Sequence, residues 1–128
     1  KKIKKFNKAR NKIASSYNSK LSKITNKIKI PYIPKGFTHS FQMYTITVEA
    51  KLRNKLLNFL KKNNIEASAH FDPPLHLQKY LKKYNKKRLT ETEKLSKQII
   101  TLPIFPDMTK KEVTYVTETI NRFYKDNN

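Results

Sequence analysis

The chain has 128 residues, a formal net charge of +20, 37% hydrophobic and 30% charged residues, one glycine and no cysteine. That length suits one domain with its own core and is too short for two. The missing cysteine excludes disulfides and thiolate metal sites, which fits a cytoplasmic protein.

No apolar run approaches the roughly 20 residues of a membrane helix, and the basic start "KKIKKFNKAR" has no apolar stretch of a signal peptide behind it. Without an initiator Met, the chain reads as a piece of something longer. A basic balance of this size is the footprint of a nucleic-acid binder. Its make-up points instead to a lysine-rich composition. Arginine stands only at Arg10, Arg53, Arg88 and Arg122, and the lysines are spread over every segment rather than gathered in one stripe. Nucleic acid is therefore not the expected partner.

In chain order, Ile3, Phe6, Ile13, Tyr17, Leu21 and Ile24 recur at helical spacing and predict a long amphipathic helix over 3–24. Pro31, Pro34 and Gly36 break it into an irregular connection. Residues 40–48, rich in β-branched and aromatic side chains on both phases, predict a central strand. "KLRNKLLNFLKKNN" predicts a helix of about three turns with Leu52, Leu56, Phe59 and Leu60 on one face, closed by Asn63 or Asn64 in a left-handed conformation. Residues 66–70 read as a second strand and "LHLQKYLKKY" as a short helix. Thr90 with Glu93 forms a capping-box pattern for a helix reaching about Ile100. "TLPIFP" reads as a short strand. Thr109 with Glu112 repeats the box and opens a last helix over 109–125, with Val113, Val116, Ile120 and Phe123 inward. The expected fold is α/β (α+β): a small, roughly three-stranded sheet with helices packed on it.

"SAHFDPPLHLQKYLKKYN" carries the unusual chemistry, with His70, Asp72 and His76 around Pro73 and Pro74. His39, His70 and His76 are the only histidines, and their spacing matches no metal-ligand pattern, so no metal is expected. Gly36 alone cannot build a phosphate-cradling loop. Asp107, Glu91, Glu93 and Glu112 sit where an acid suits a helix dipole, and no pair of carboxylates stands at acid–base spacing. His70 is open between a strand-end residue bonded to a carbonyl and a ligand contact at a sheet edge. His76 leans to a first-turn residue of the short helix. Tyr44, Phe71 and Tyr80 default to packing.

At "AHFDPPLHLQKY" the chain resembles the C-terminal part of the DegT/DnrJ/StrS-type nucleotide-sugar aminotransferases, pyridoxal-phosphate enzymes of the aspartate-aminotransferase fold. His70, Phe71, Pro74, Leu75, His76, Leu77, Gln78 and Tyr80 match the family's pattern H-[YF]-x-x-P-L-H-L-Q followed by a tyrosine. Arg10, Ile13, Ala14, Tyr17 and Leu21 match its R-x-x-I-A-x-x-Y-x-x-x-L helix. "HSFQMYTITVEAKLRNKLLNFLKKNNIEASAHF" is similar to the strand, R-x-x-L-x-x-x-L helix and strand that follow, and "LPIFPDMT" to the closing L-P-x-x-P-x-M-T segment. Asn64 stands where the family usually has glycine, and asparagine also tolerates positive φ.

The resemblance implies a single C-terminal small domain over 1–128, with residues 1–26 as the linking helix. Its partner would be a large N-terminal domain carrying the cofactor lysine, and none of this chain's lysines stands in that lysine's context. By the same resemblance the parent uses pyridoxal phosphate, works as a homodimer and moves an amino group from glutamate to a keto-sugar nucleotide for surface polysaccharide or glycan. This segment alone would hold no cofactor and be inactive, with no catalytic, cofactor-binding or metal residue in it. His70, Phe71 and His76 would bind substrate, with Lys79 or Arg88 adding positive charge. The alternative class is a stand-alone basic module for nucleic acid or acidic polymer, which a steep, sequence-blind salt dependence of binding would reveal.

Overall fold

A computed structural model describes residues 2–84 and 87–127. Helix α1 spans Lys2–Leu21, strand β1 Tyr44–Thr47, helix α2 Ala50–Lys62, helix α3 Thr90–Ser96, strand β2 Ile99–Leu102 and helix α4 Lys110–Asp126. Two 3₁₀ turns, Leu75–Leu77 and Lys79–Tyr84, lie between α2 and α3.

The strands pair antiparallel, with Tyr44 opposite Leu102 and Thr47 opposite Ile99. Alternation then puts Tyr44, Ile46, Ile100 and Leu102 on one face. That face forms a single cluster with Ile13, Tyr17 and Leu21 of α1, Leu56 and Leu60 of α2, and Val113, Val116, Ile120 and Phe123 of α4. Burial of apolar area at about 25 cal/mol per Å² is the main drive for this packing. On the other face Thr45 and Thr101 share a hydroxyl hydrogen bond of 3.0 Å across the strands.

The sheet has two strands among the described residues, not three. The segment expected as a strand over 66–70 makes one isolated bridge, in which Ser68 N–H donates to Thr101 O at 3.1 Å and Thr101 N–H donates to Ser68 O at 2.7 Å. Pairing stops there because the chain turns away from the sheet at His70 and Phe71, and Asp72 bonds to Arg53 of α2. Lys29 makes a matching single bridge to Thr47 on the other edge.

β1 is shorter than 40–48 because Phe41 is buried at φ 46°, outside extended geometry. The helix expected to reach Ile100 stops at Ser96, and β-branched Ile99, Ile100 and Thr101 go to the strand they favour. At α4 the capping box forms as expected, with Glu112 N–H donating to Thr109 Oγ1 at 3.2 Å and Thr109 N–H donating to Glu112 Oε2 at 2.6 Å. At α3 only half of one forms. The cap is Leu89 rather than Thr90, and its N–H donates to Glu93 Oε1 at 3.2 Å. Asn64 at φ 56° closes α2, where the left-handed residue was expected.

Candidate functional site

The histidine loop leaves the sheet at Ser68 and returns to α3 through the two 3₁₀ turns. Ser68 is held in the sheet edge by its bridge to Thr101. Its hydroxyl and His70 Nδ1 share a hydrogen bond of 2.9 Å, which orients the imidazole. His70 and Phe71 both face solvent, Phe71 at 64% exposure, with ring centroids 5.8 Å apart in an edge-on arrangement.

Asp72 is ion-paired to Arg53 of α2, whose side chain is only 9% exposed. Arg53 also donates from Nε to Lys97 O at 3.2 Å and from Nη2 to Ser96 O at 3.3 Å.

His76 occupies the first 3₁₀ turn rather than the start of a continuous α-helix. Its side chain is 14% exposed and faces Glu93 of α3, with Nε2 and Oε1 3.5 Å apart. This partner lies 17 residues on, out of reach of any local pattern. Glu93 also accepts from Arg88 Nε at 3.4 Å, so Arg88 serves the carboxylate rather than standing free. Lys79 is exposed in the second 3₁₀ turn.

Desolvation acts to raise the Glu93 pKa, but hydrogen bonds from His76, Leu89 N–H and Arg88 outweigh it and hold the carboxyl below its usual 4.5. A depressed carboxyl stabilises the fold above its unfolded pKa and loses that contribution as pH falls through the folded one. Unfolding in urea at pH 6 should therefore show Glu93→Gln less stable than the parent chain. The gap should narrow as pH falls below the ordinary carboxylate range and close only once the depressed folded pKa has been passed, where Glu93 is as neutral as glutamine; a gap independent of pH would refute the pairing.

Beside the loop lies a cavity of about 380 Å³ lined by Leu75, His76, Leu81, Tyr84, Leu89 and Thr92. Leu75 and Tyr84 of its wall are exposed, and Tyr80 and Phe71, expected to pack, stand in solvent instead because the loop leaves the core after Ser68. A second cavity of about 410 Å³, with Ile65, Phe105, Met108 and Tyr115 in its wall, contains none of the expected site residues.

His39 lies apart from this loop in the contacts it makes. Its Nδ1 accepts from Phe41 N–H at 2.9 Å and its carbonyl from Asn11 Nδ2 at 2.8 Å, so it shapes a turn held against α1. No group of three His, Cys, Asp or Glu side chains suited to a metal occurs among the described residues. None of the described helices is long and apolar enough to cross a membrane.

Sequence reasoning missed Arg53, counting it only among the scattered arginines and in a motif. The signal was present: Arg53, Leu56 and Leu60 share one stripe, and all three are buried. A charged residue in an apolar stripe asks for a buried acceptor.

Comparison with solved structures identifies the architecture as that of aminotransferase chains. An aminotransferase of Streptoalloteichus hindustanus, TlmJ, superposes with a TM-score of 0.87 at 21% identity, over 97% of this chain and 33% of that one. Solved chains of this fold include ones holding pyridoxal phosphate or its amine form. The chain belongs to the DegT/DnrJ/EryC1/StrS aminotransferase family, whose model matches residues 1–121. Among relatives, a pleiotropic regulatory protein of Geobacillus stearothermophilus is 34% identical over 119 residues, 91% of this chain and 32% of its own length. A dTDP-3-amino-3,6-dideoxy-alpha-D-galactopyranose transaminase of Aneurinibacillus thermoaerophilus is 29% identical over 118 residues, 91% of this chain and 31% of its own. The chain thus spans about a third of the length of these relatives.

Proposed function

We propose that residues 1–128 are the C-terminal small domain of a cytoplasmic, pyridoxal-phosphate-dependent aminotransferase acting on a keto-sugar nucleotide, with glutamate as amino donor. The product would feed synthesis of surface polysaccharide or glycan, and the working unit would be a homodimer. Family membership favours this over a stand-alone basic module, and the transaminase among the relatives supports a sugar nucleotide as substrate.

One observation carries the assignment of the loop. His70 and Phe71 are presented to solvent between two fixed points, Ser68 in the sheet edge and Asp72 on Arg53. A histidine and an aromatic ring held outward on a rigid turn suit a sugar diphosphate, the imidazole bonding to oxygen and the ring covering an apolar sugar face. Their order is already set before binding, so little entropy is lost when substrate arrives. His76, turned toward Glu93, would act at the margin of the same surface.

The residues of this chain do not fit the cofactor itself. Among the side chains that the structure describes, no lysine is buried. Asp72, Glu93 and Glu112 are engaged with Arg53, His76 and Thr109, leaving none of these free to meet a pyridine nitrogen. The cofactor's anchor and ring partner would belong to the large N-terminal domain.

The test is His70→Ala in the full-length protein. The KM for the keto-sugar nucleotide should rise about 10- to 100-fold, the size of one charge-assisted hydrogen bond, with cofactor content unchanged. Loss of cofactor, or an unaltered KM, would remove the loop from the substrate site.

A further inference from the structure

We infer that Arg53, acting through Asp72, is a positioning residue that holds His70 and Phe71 in their outward presentation. The inference rests on the loop reading above and adds the device that makes the loop rigid.

A guanidinium at a core-facing helix position is costly unless its donors are met. The Nε and Nη2 of Arg53 donate to two carbonyls and one carboxylate. The carbonyls of Ser96 and Lys97 close α3, where a helix leaves acceptors unpaired and a cation is favoured. Those two bonds by themselves tie α2 to the end of α3. Asp72 adds nothing to that tie. It brings the loop onto an anchor that is already fixed.

The loop is then pinned at three points four residues apart: Ser68 on β2, Asp72 on Arg53, and His76 on Glu93. The second and third pins both lead to α3. Between the first two stand His70 and Phe71, the pair left exposed. A flat fork that reaches three acceptors is a property of arginine, and the point charge of lysine lacks it. In a chain so rich in lysine, the buried cation of this stripe is an arginine.

The test uses the full-length protein with three variants, Asp72→Asn, Arg53→Lys and His70→Ala. Asp72→Asn spares the core-facing Arg53 and keeps an acceptor oxygen while losing the charge. It should raise the KM for the keto-sugar nucleotide about tenfold while kcat changes little. Amide hydrogen exchange should speed up about tenfold in peptides covering 69–77 and not in α1 or α4. Arg53→Lys should show the same local exchange signature, since an ammonium cannot rescue a three-way bridge. In the Asp72→Asn background, His70→Ala should raise KM by less than it does alone, because an unheld histidine has less to lose.

Unchanged exchange over 69–77 in Asp72→Asn overturns the positioning role. So does faster exchange spread evenly over the domain, which marks a merely structural ion pair. Faster local exchange with no effect of His70→Ala on KM upholds the clamp and refutes the substrate reading instead.

Discussion

Replacing Tyr17 with alanine should cost about 3–5 kcal/mol, a large share of the 5–15 kcal/mol that holds a domain of this size folded. Tyr17 is fully buried where α1 meets the sheet. Its ring stacks on Tyr44 with centroids 4.8 Å apart and planes 29° apart. The phenol donates to Pro103 O at 2.9 Å, just past the end of β2. Burial first, then the neighbouring Tyr44 and Glu112, push its pKa upward, so the hydroxyl stays a neutral donor at any ordinary pH.

Truncation would lose the ring's contacts, open a cavity and orphan the Pro103 carbonyl together. Tyr17→Phe separates these terms. It keeps the ring and should cost about 1–2 kcal/mol, the value of the hydroxyl bond with its stranded acceptor. Urea unfolding of the two variants measures both. A Tyr17→Ala loss below about 1 kcal/mol would mean that α1 contributes little to the core.

Pyridoxal phosphate reduced onto the 128-residue chain with borohydride should label many lysines weakly and none predominantly, and the chain should transfer no amino group. An imine forms at any accessible amine, but a cofactor site must hold an anchor, a ring partner and a dry environment together. The lysine side chains that the structure describes, which do not include that of Lys82, are exposed apart from the half-buried Lys20. Of the carboxylates, Glu49 pairs with Lys51 at 3.0 Å, while Asp72, Glu93 and Glu112 are committed as described above. Peptide mapping by mass spectrometry counts the sites. One lysine labelled near stoichiometry, together with amino transfer to a keto sugar, would place the active site in this chain. In the full-length protein the dominant label should fall on a lysine outside residues 1–128.

Much of the fold was legible in the sequence because its cause is local. The stripe of Val113, Val116, Ile120 and Phe123 is buried throughout; of the first helix's stripe Ile13, Tyr17 and Leu21 are buried and Ile24 partly so, while Ile3 and Phe6, expected inward, stay exposed. Thr109 and Glu112 meet across three residues, so their reciprocal cap follows from spacing. Asn64 takes the left-handed conformation that closes α2. The same locality explains the error at Thr90. The pattern predicted a box there, but the backbone entered the helix one residue earlier, and Glu93 turned to a histidine that no local pattern could supply.

The sequence by itself determined the helices, their inward faces, the family through its motifs, and the place of the histidine loop, because periodicity and proline act over a few residues. Only the tertiary structure decided how many residues pair in the sheet and which groups hold the loop. Ser68 pairs with Thr101 across 33 positions, Arg53 meets Asp72 across 19, and His76 meets Glu93 across 17. Such pairs form because a buried cation and a polar loop must find partners wherever the packed helices bring them, and spacing along the chain carries no record of that meeting.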